Sequence, residues 1–138
     1  MKIYQSTKKK LTGTQYAEVY KEAFGLYKQI KSKTKRRPYV RAAYFKKDKI
    51  FLELFWQHLH EKLNFRDKTR RIKYFSCAVD LIKNSKYEPS SKENPNKKSE
   101  ILHRFAGMTQ DKDLFFVQIK EDKKNGEKWL MSIFPGDK

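Results

Sequence analysis

Three short apolar runs in the last third of the chain alternate between hydrophobic and polar residues with the period of a β-strand. They cover residues 101–107, 114–120 and 129–135, and polar segments separate them. The second separating segment contains Asn125-Gly126, which favours a type I′ hairpin because both central residues of that turn need positive φ. The pattern therefore predicts a three-stranded antiparallel meander.

The alternation also assigns side chains to the two faces of this meander. The residues predicted to face the core are Val117, Ile119, Met131 and Ile133. The residues predicted on the opposite, polar face are Gln118, Lys120 and Ser132. His103 and Arg104 are neighbours on the first run, so they point to opposite faces, and a one-residue slip of register would exchange them. The pattern leaves open which of the two joins the polar face.

Before residue 85 the apolar residues recur mainly at three- and four-residue steps, which is typical of helices. We predict helices over residues 12–31, 48–63 and 64–84, with Asp48 and Asn64 as N-caps of the second and third. The expected fold class is α+β, with about three N-terminal helices packed on a small C-terminal antiparallel sheet.

One domain is the natural count for 138 residues. Residues 39–45 are a candidate fourth strand, because Pro38 breaks any helix before them. Residues 1–11 are expected to be a frayed lead-in, and residues 85–100 a long polar loop.

Charge points to the kind of partner. The chain has 33 Lys and Arg against 16 Asp and Glu, a net charge of +17 that repels itself in the compact state. A polyanion would relieve this repulsion, with nucleic acid as the first candidate and an anionic membrane surface as the second. The alternative is a solvated surface of a Lys-rich protein. We see neither a secretory leader nor an apolar run long enough for a membrane span, so we expect a cytoplasmic protein without a membrane partner.

Basic residues interleaved with aromatic ones suit a single-stranded nucleic acid, because cations meet phosphates and rings meet bases. The stretch after the first helix has this character, although a solvated linker with a guarded edge strand would look the same. The candidate nucleic-acid-binding residues are Lys35, Arg36, Arg37, Arg41, Tyr44, Arg70, Arg71, Lys92 and Lys97.

The sequence lacks the motifs that several kinds of catalytic site require. We find no Gly-rich phosphate loop, no carboxylate cluster suited to Mg²⁺ and too few Cys and His for a zinc site, so we expect no metal and no cofactor. RNA cleavage is possible without a metal or cofactor, because the ribose 2′-OH is the nucleophile and protein side chains can transfer the protons and supply the cations. The candidate catalytic residues for that reaction are His103, Arg104, Lys120, Gln118 and Ser132.

The chain resembles the barnase–EndoU–colicin–RelE class of small ribonucleases, in particular the members from phages and mobile elements. The resemblance lies in the order of elements, helices first and a meander last, and in residues 91–97, 100–107, 115–119 and 132–135. The resemblance implies His103 as the acid/base residue and Arg104 with Lys120 as the phosphate clamp. Members of the class often use a carboxylate base as well, and Glu100 is the nearby choice here.

Three classes of function follow from these features. The first is a metal-independent endoribonuclease of toxin or effector type. The second is a non-catalytic nucleic-acid-binding protein or inhibitor from a mobile element, which explains the charge equally well. The third is a protein that binds an acidic protein partner, such as an antitoxin or immunity protein.

Overall fold

Seven strands form one mixed sheet in the computed structural model, which describes residues 2–61 and 64–136. The strands are β1 (Ile3–Gln5), β2 (Tyr39–Ala42), β3 (Asp48–Phe51), β4 (Ser90–Asn94), β5 (Lys97–Met108), β6 (Leu114–Asp122) and β7 (Lys128–Pro135). The helices in the same described ranges are α1 (Tyr16–Ser32), α2 (Glu53–Glu61), α3 (Phe65–Ile72) and α4 (Phe75–Asn84).

The strand order is β1-β5-β6-β7-β3-β2. β5, β6 and β7 are the antiparallel meander that the alternation predicts. β3 joins β7 in parallel and pairs with β2 in an antiparallel hairpin. β4 pairs with the first part of β5 and β1 with its end, so these two short strands share one edge of β5.

The prediction of a small three-stranded sheet under three helices is wrong, because strands outside the meander extend the sheet on both sides. β1 lies in the segment expected to be frayed, and the side chains of Tyr4 and Ser6 donate hydrogen bonds to Asp80 on α4. β4 occupies the segment expected to be a loop. It is an all-polar edge strand, so it shows no apolar alternation that the sequence could reveal.

The second predicted helix starts too early. Asp48 is not its N-cap but the first residue of β3, where its carboxylate lies 2.8 Å from Lys128 Nζ. The cap at Asn64 is confirmed, since its side chain accepts a hydrogen bond from the Asp67 amide at 3.1 Å. The third predicted helix is divided at Lys73 and Tyr74 into α3 and α4.

The hairpin between β6 and β7 is not a type I′ turn. Within the described residues Gly126 has φ of +74°, but Asn125 is not among the positive-φ positions. The Gly126 amide donates to the Asp122 carbonyl at 2.8 Å and closes a longer turn. Five residues therefore connect the two strands. The predicted hairpin is present, but its predicted two-residue turn is not.

The helices bury their apolar residues against one face of the sheet. Val117, Ile119 and Ile133 are buried there as predicted, but Leu130 replaces Met131. A β-bulge shifts the β6–β7 register after Gln118, so that Ile119 pairs with Leu130 and Met131 is skipped.

Gly107, near the end of β5, lies too close to its neighbours to carry a side chain. A Cβ added at Gly107 would lie 2.5 Å from the Phe115 ring and 2.8 Å from Leu81. The contact joins β5, β6 and α4, so any side chain here would force the Phe115 ring or the Leu81 side chain out of place.

Candidate nucleic-acid interface

The sheet face opposite the helices, here called the outer face, carries a polar row across the meander. Arg104, Gln118 and Ser132 are cross-strand neighbours on β5, β6 and β7. Arg104 Nη2 donates to Gln118 Oε1 at 3.3 Å, and Arg71 on α3 donates through Nη1 to Ser132 Oγ at 3.1 Å. Three of the predicted catalytic residues therefore lie side by side, with a second guanidinium at the end of the row.

Two phenylalanine rings border this polar row. Phe116 and Phe134 are cross-strand neighbours with ring centroids 5.5 Å apart. The Arg104 guanidinium lies 5.0 Å from the centroid of Phe134 and 5.9 Å from that of Phe116, and that of Arg71 lies 6.0 Å from Phe134. Guanidinium groups over aromatic faces are attracted to the ring quadrupole. The meander thus presents cations and rings together on a partly solvent-accessible surface.

A second row of the outer face runs across four strands. Register pairs Lys120 with Trp129, Trp129 with Phe51, and Phe51 with Tyr39. Lys120 Nζ lies 4.9 Å from the Trp129 ring, and all four side chains are partly exposed. Neighbouring strands are about 4.8 Å apart, so the row extends roughly 14 Å from β6 to β2.

Glu100 lies at the edge of the outer face and binds the cations around it. It is buried, accepts a hydrogen bond from Asn94 Nδ2 at 3.0 Å, and lies 3.3 Å from Lys120 Nζ and 3.5 Å from Lys97 Nζ. Burial alone would raise its pKa, but the Asn94 hydrogen bond and the two lysine charges together lower the pKa below its ordinary value. Glu100 therefore stays ionised at neutral pH and is a weak proton acceptor there.

This lowered pKa predicts a pH-dependent stability. A carboxyl whose pKa is lower in the folded chain stabilises the fold above its ordinary pKa of 4.5, and that contribution is lost as pH falls through the folded-state pKa. We expect Glu100→Gln to remove this part of the acid destabilisation, so that Tm falls less steeply below pH 4.5 than in the wild type. Melting curves between neutral and acid pH measure it. Glu22→Gln, at an exposed position on α1, is the control, and parallel Tm profiles for all three proteins would contradict the prediction.

His103 lies on the other face of the sheet. It pairs with Ile119, is 8% exposed, and packs its ring 5.0 Å from that of Phe45. Its Nδ1 lies 2.6 Å from Ser91 Oγ and its Nε2 lies 2.7 Å from Glu121 Oε1. The open choice between the two neighbours is thus settled by register: Arg104 joins the polar face, and His103 is separated from the other predicted catalytic residues by the sheet itself.

Several predicted binding residues lie on or beside the outer face. Arg41 is exposed on β2, and Lys92 of β4 pairs with Leu102 on the outer side of β5. Arg37 contacts the Phe51 ring and Glu53. Arg71 contacts Ser132 and Lys97 contacts Glu100, as described above.

The remaining predicted binding residues lie elsewhere. The Tyr44 ring packs 5.8 Å from that of Phe105 and belongs to the edge of the core. Lys35 and Arg36 are exposed in the turn between α1 and β2. Arg70 is exposed on α3, beside a hollow that Lys10 and Lys73 also line. The structure therefore brings part of the predicted set to one face but not Tyr44, Arg70, Lys35 or Arg36.

The aromatic residues of the outer face are not among the candidate site residues of the sequence analysis. Phe51 lies within the helix predicted over residues 48–63, and strict alternation places Trp129 on the same face as Met131 and Ile133, which were predicted to face the core. The parallel pairing of β3 with β7 places Phe51 beside Trp129, and this non-local pairing has no local sequence signal. Phe116 and Phe134 alternate in step with Gln118 and Ser132, so the alternation places both rings on the polar face, and Tyr39 is one of the rings interleaved with basic residues after the first helix.

Among the described residues no group of three or more His, Cys, Asp or Glu side chains is placed to hold a metal ion. Within the same residues no helix has the length and apolar character needed to cross a membrane. Comparisons with protein-family models, with curated proteins and with solved structures found no match.

Proposed function

We propose that this chain binds single-stranded nucleic acid, RNA in particular, across the outer face, in the cytoplasm. The observation that supports it best is the interleaving of rings and cations on that face: Phe116, Phe134 and Trp129 each have an Arg or Lys charge within 6.0 Å of the ring centroid. Bases of a single strand stack on such rings, and phosphates contact the neighbouring cations.

The choice of a single strand follows from the shape and chemistry of this face. In a duplex the bases are stacked on one another, so flat aromatic side chains on a sheet would have nothing to stack on. A single strand exposes its bases and can lie across a sheet. The net charge of +17 adds a sequence-independent attraction that weakens with salt.

Cleavage of the bound RNA is a second candidate, favoured by the convergence of Arg104, Gln118, Ser132 and Arg71 at one place. In that step the 2′-oxygen bonds to the neighbouring phosphorus as the bond from phosphorus to the 5′-oxygen breaks, the 2′-OH proton passes to water and the leaving 5′-oxygen takes a proton from water. Two guanidinium groups there would stabilise the extra negative charge that the phosphate carries during the attack. The resemblance to small ribonucleases points the same way. His103, the acid/base residue that the resemblance implies, takes no part in this step because His103 lies on the opposite face of the sheet.

The binding prediction concerns Arg104. We expect Arg104→Ala to weaken binding of an end-labelled single-stranded RNA and to reduce the slope of log K against log salt by about 0.7, the value for one phosphate contact on a single strand. Fluorescence anisotropy over a salt series measures both. Lys21→Ala removes the same charge from an exposed position on α1, and it should change the affinity and the salt slope much less than Arg104→Ala does. Equal effects of the two substitutions would contradict a site at Arg104.

Incubation of RNA and matching DNA in EDTA separates binding from cleavage. RNA-only cleavage that leaves 2′,3′-cyclic phosphate ends, and that is lost in Arg104→Ala but kept in a folded His103→Ala, would establish the second candidate on the outer face. Intact RNA at saturation would leave binding as the function. Failure to bind either polymer, with capture by an acidic protein instead, would overturn the proposal in favour of a protein partner.

A further inference from the structure

The β2–β3 hairpin continues the outer face beyond the meander. Register places Tyr39 opposite Phe51 and Arg41 opposite Lys49, and Phe51 is the neighbour of Trp129 on β7. Val40 and Ile50 between them are buried in the core, which fixes the other four side chains on the outer face. The outer-face residues of the meander are therefore continuous with those of the hairpin.

Arg37, just before β2, lies over this surface and is held there by two contacts. Its guanidinium lies 4.0 Å from the centroid of Phe51, and its Nε donates to Glu53 Oε1 at 2.7 Å. The side chain is 40% exposed, so the guanidinium remains accessible from solvent. A planar guanidinium fixed in this way is a stacking surface for a base, since bases in single strands stack on Arg planes as well as on rings.

A basic hollow of about 600 Å³ lies next to Arg37. Lys33, Lys35, Arg36 and Lys49 contribute to its lining, and the Tyr39 ring forms one wall. Lys49 Nζ lies 4.8 Å from the centroid of that ring. In the described part of the chain Lys33, Lys35 and Arg36 form no ion pair. Their charges are therefore available to an anion that follows the turn.

We propose that the hairpin and its preceding turn, residues 33–37 with Tyr39, Lys49 and Phe51, form a second subsite for the same single strand. This inference rests on the proposed function and gives the strand a path. The strand crosses the sheet from β6 towards β2 along the row of Lys120, Trp129, Phe51 and Tyr39. Its bases stack on Trp129, on Arg37 over the Phe51 ring and on Tyr39, and its backbone leaves through the basic hollow. The substrate class is a single strand long enough to occupy both subsites.

A length series of labelled oligouridylates tests this path. We compare oligomers of about three nucleotides, which fill one subsite, with oligomers of about ten, within the usual range for a single-strand site. Replacing both Lys35 and Arg36 with Ser should weaken binding of the long oligomer and lower its salt slope by about 1.4, or about 0.7 for each lost contact. Binding of the short oligomer to the meander should stay unchanged.

One matched control accompanies the double variant, and a substitution of Tyr39 tests the stacking ring separately. Lys21→Ser with Lys28→Ser removes the same net charge from exposed positions on α1, and should leave binding of the long oligomer close to that of the wild type. Tyr39→Ala should weaken the long oligomer about 5- to 150-fold, the effect of losing one stacked ring, whereas Tyr39→Phe should not.

Each outcome decides something. A length-dependent loss confined to the hairpin variants supports the second subsite. Equal losses for short and long oligomers, or an equal loss in the α1 control, would overturn it while leaving the proposed function in place. If the wild type binds neither oligomer, the proposed function itself fails.

Discussion

Replacing Phe75 with Ala is expected to lower the free energy of unfolding by about 3–5 kcal/mol, the usual effect of removing a fully buried aromatic side chain. Phe75 on α4 has no exposed surface, and its ring lies 5.2 Å from that of Trp56, 5.8 Å from Phe55 and 6.5 Å from Tyr27. It thereby joins α4 to α1 and α2. Its loss opens a cavity between three helices.

Urea unfolding followed by circular dichroism measures this effect. Because a loss of that size is a large fraction of the stability of a small domain, Phe75→Leu serves as a milder variant that keeps most of the volume. Phe65→Ala is the control, since Phe65 is 60% exposed and should cost about 1 kcal/mol or less. Similar midpoints for Phe75→Ala and Phe65→Ala would show that the aromatic cluster does not hold the helices together.

Replacing Trp129 with Ala is expected to weaken binding of single-stranded RNA by about 1–3 kcal/mol, or roughly 5- to 150-fold, because one base loses its stacking surface. Trp129 is the ring that links the meander to the β2–β3 hairpin, between Lys120 on one side and Phe51 on the other. Its removal therefore interrupts the row of rings and cations at its centre.

Anisotropy titrations at one fixed salt concentration measure this loss. Trp129→Phe keeps a ring and should retain most of the affinity. Tyr87→Ala is the control for losing an aromatic side chain outside the outer face, since Tyr87 is 42% exposed in the segment before β4. A melting curve of each variant checks that it is folded. Wild-type affinity in a folded Trp129→Ala would place the RNA elsewhere.

The meander could be predicted because its signals are local. The alternation of β5, β6 and β7 is short-range, and the connections between them are only five residues each. The wider sheet could not be predicted, because β1 and β3 join it through parallel pairings with strands far away in the chain. Ser90–Asn94 forms β4 without a single apolar side chain, so alternation of hydrophobic and polar residues could not mark it as a strand.

The site was partly predictable for the same reason. Gln118 and Ser132 were assigned to the polar face from alternation, and register pairs them across β6 and β7. Met131 was assigned to the core because a bulge cannot be read from alternation. Tyr44 looked like its basic neighbours in sequence, but it packs against the core, just before Lys46 and Lys47 turn the chain with φ of +54° and +69°.

The two tryptophans permit the most direct test of binding over the outer face. Trp129 lies on that face, whereas Trp56 is 4% exposed within the helix layer. In nitrogen-labelled protein each indole N–H gives its own NMR signal. Titration with a single-stranded RNA of about ten nucleotides should shift or broaden the Trp129 signal and leave that of Trp56 in place. At saturated binding, an unchanged Trp129 signal, or a shift confined to Trp56, would contradict the outer face as the binding surface.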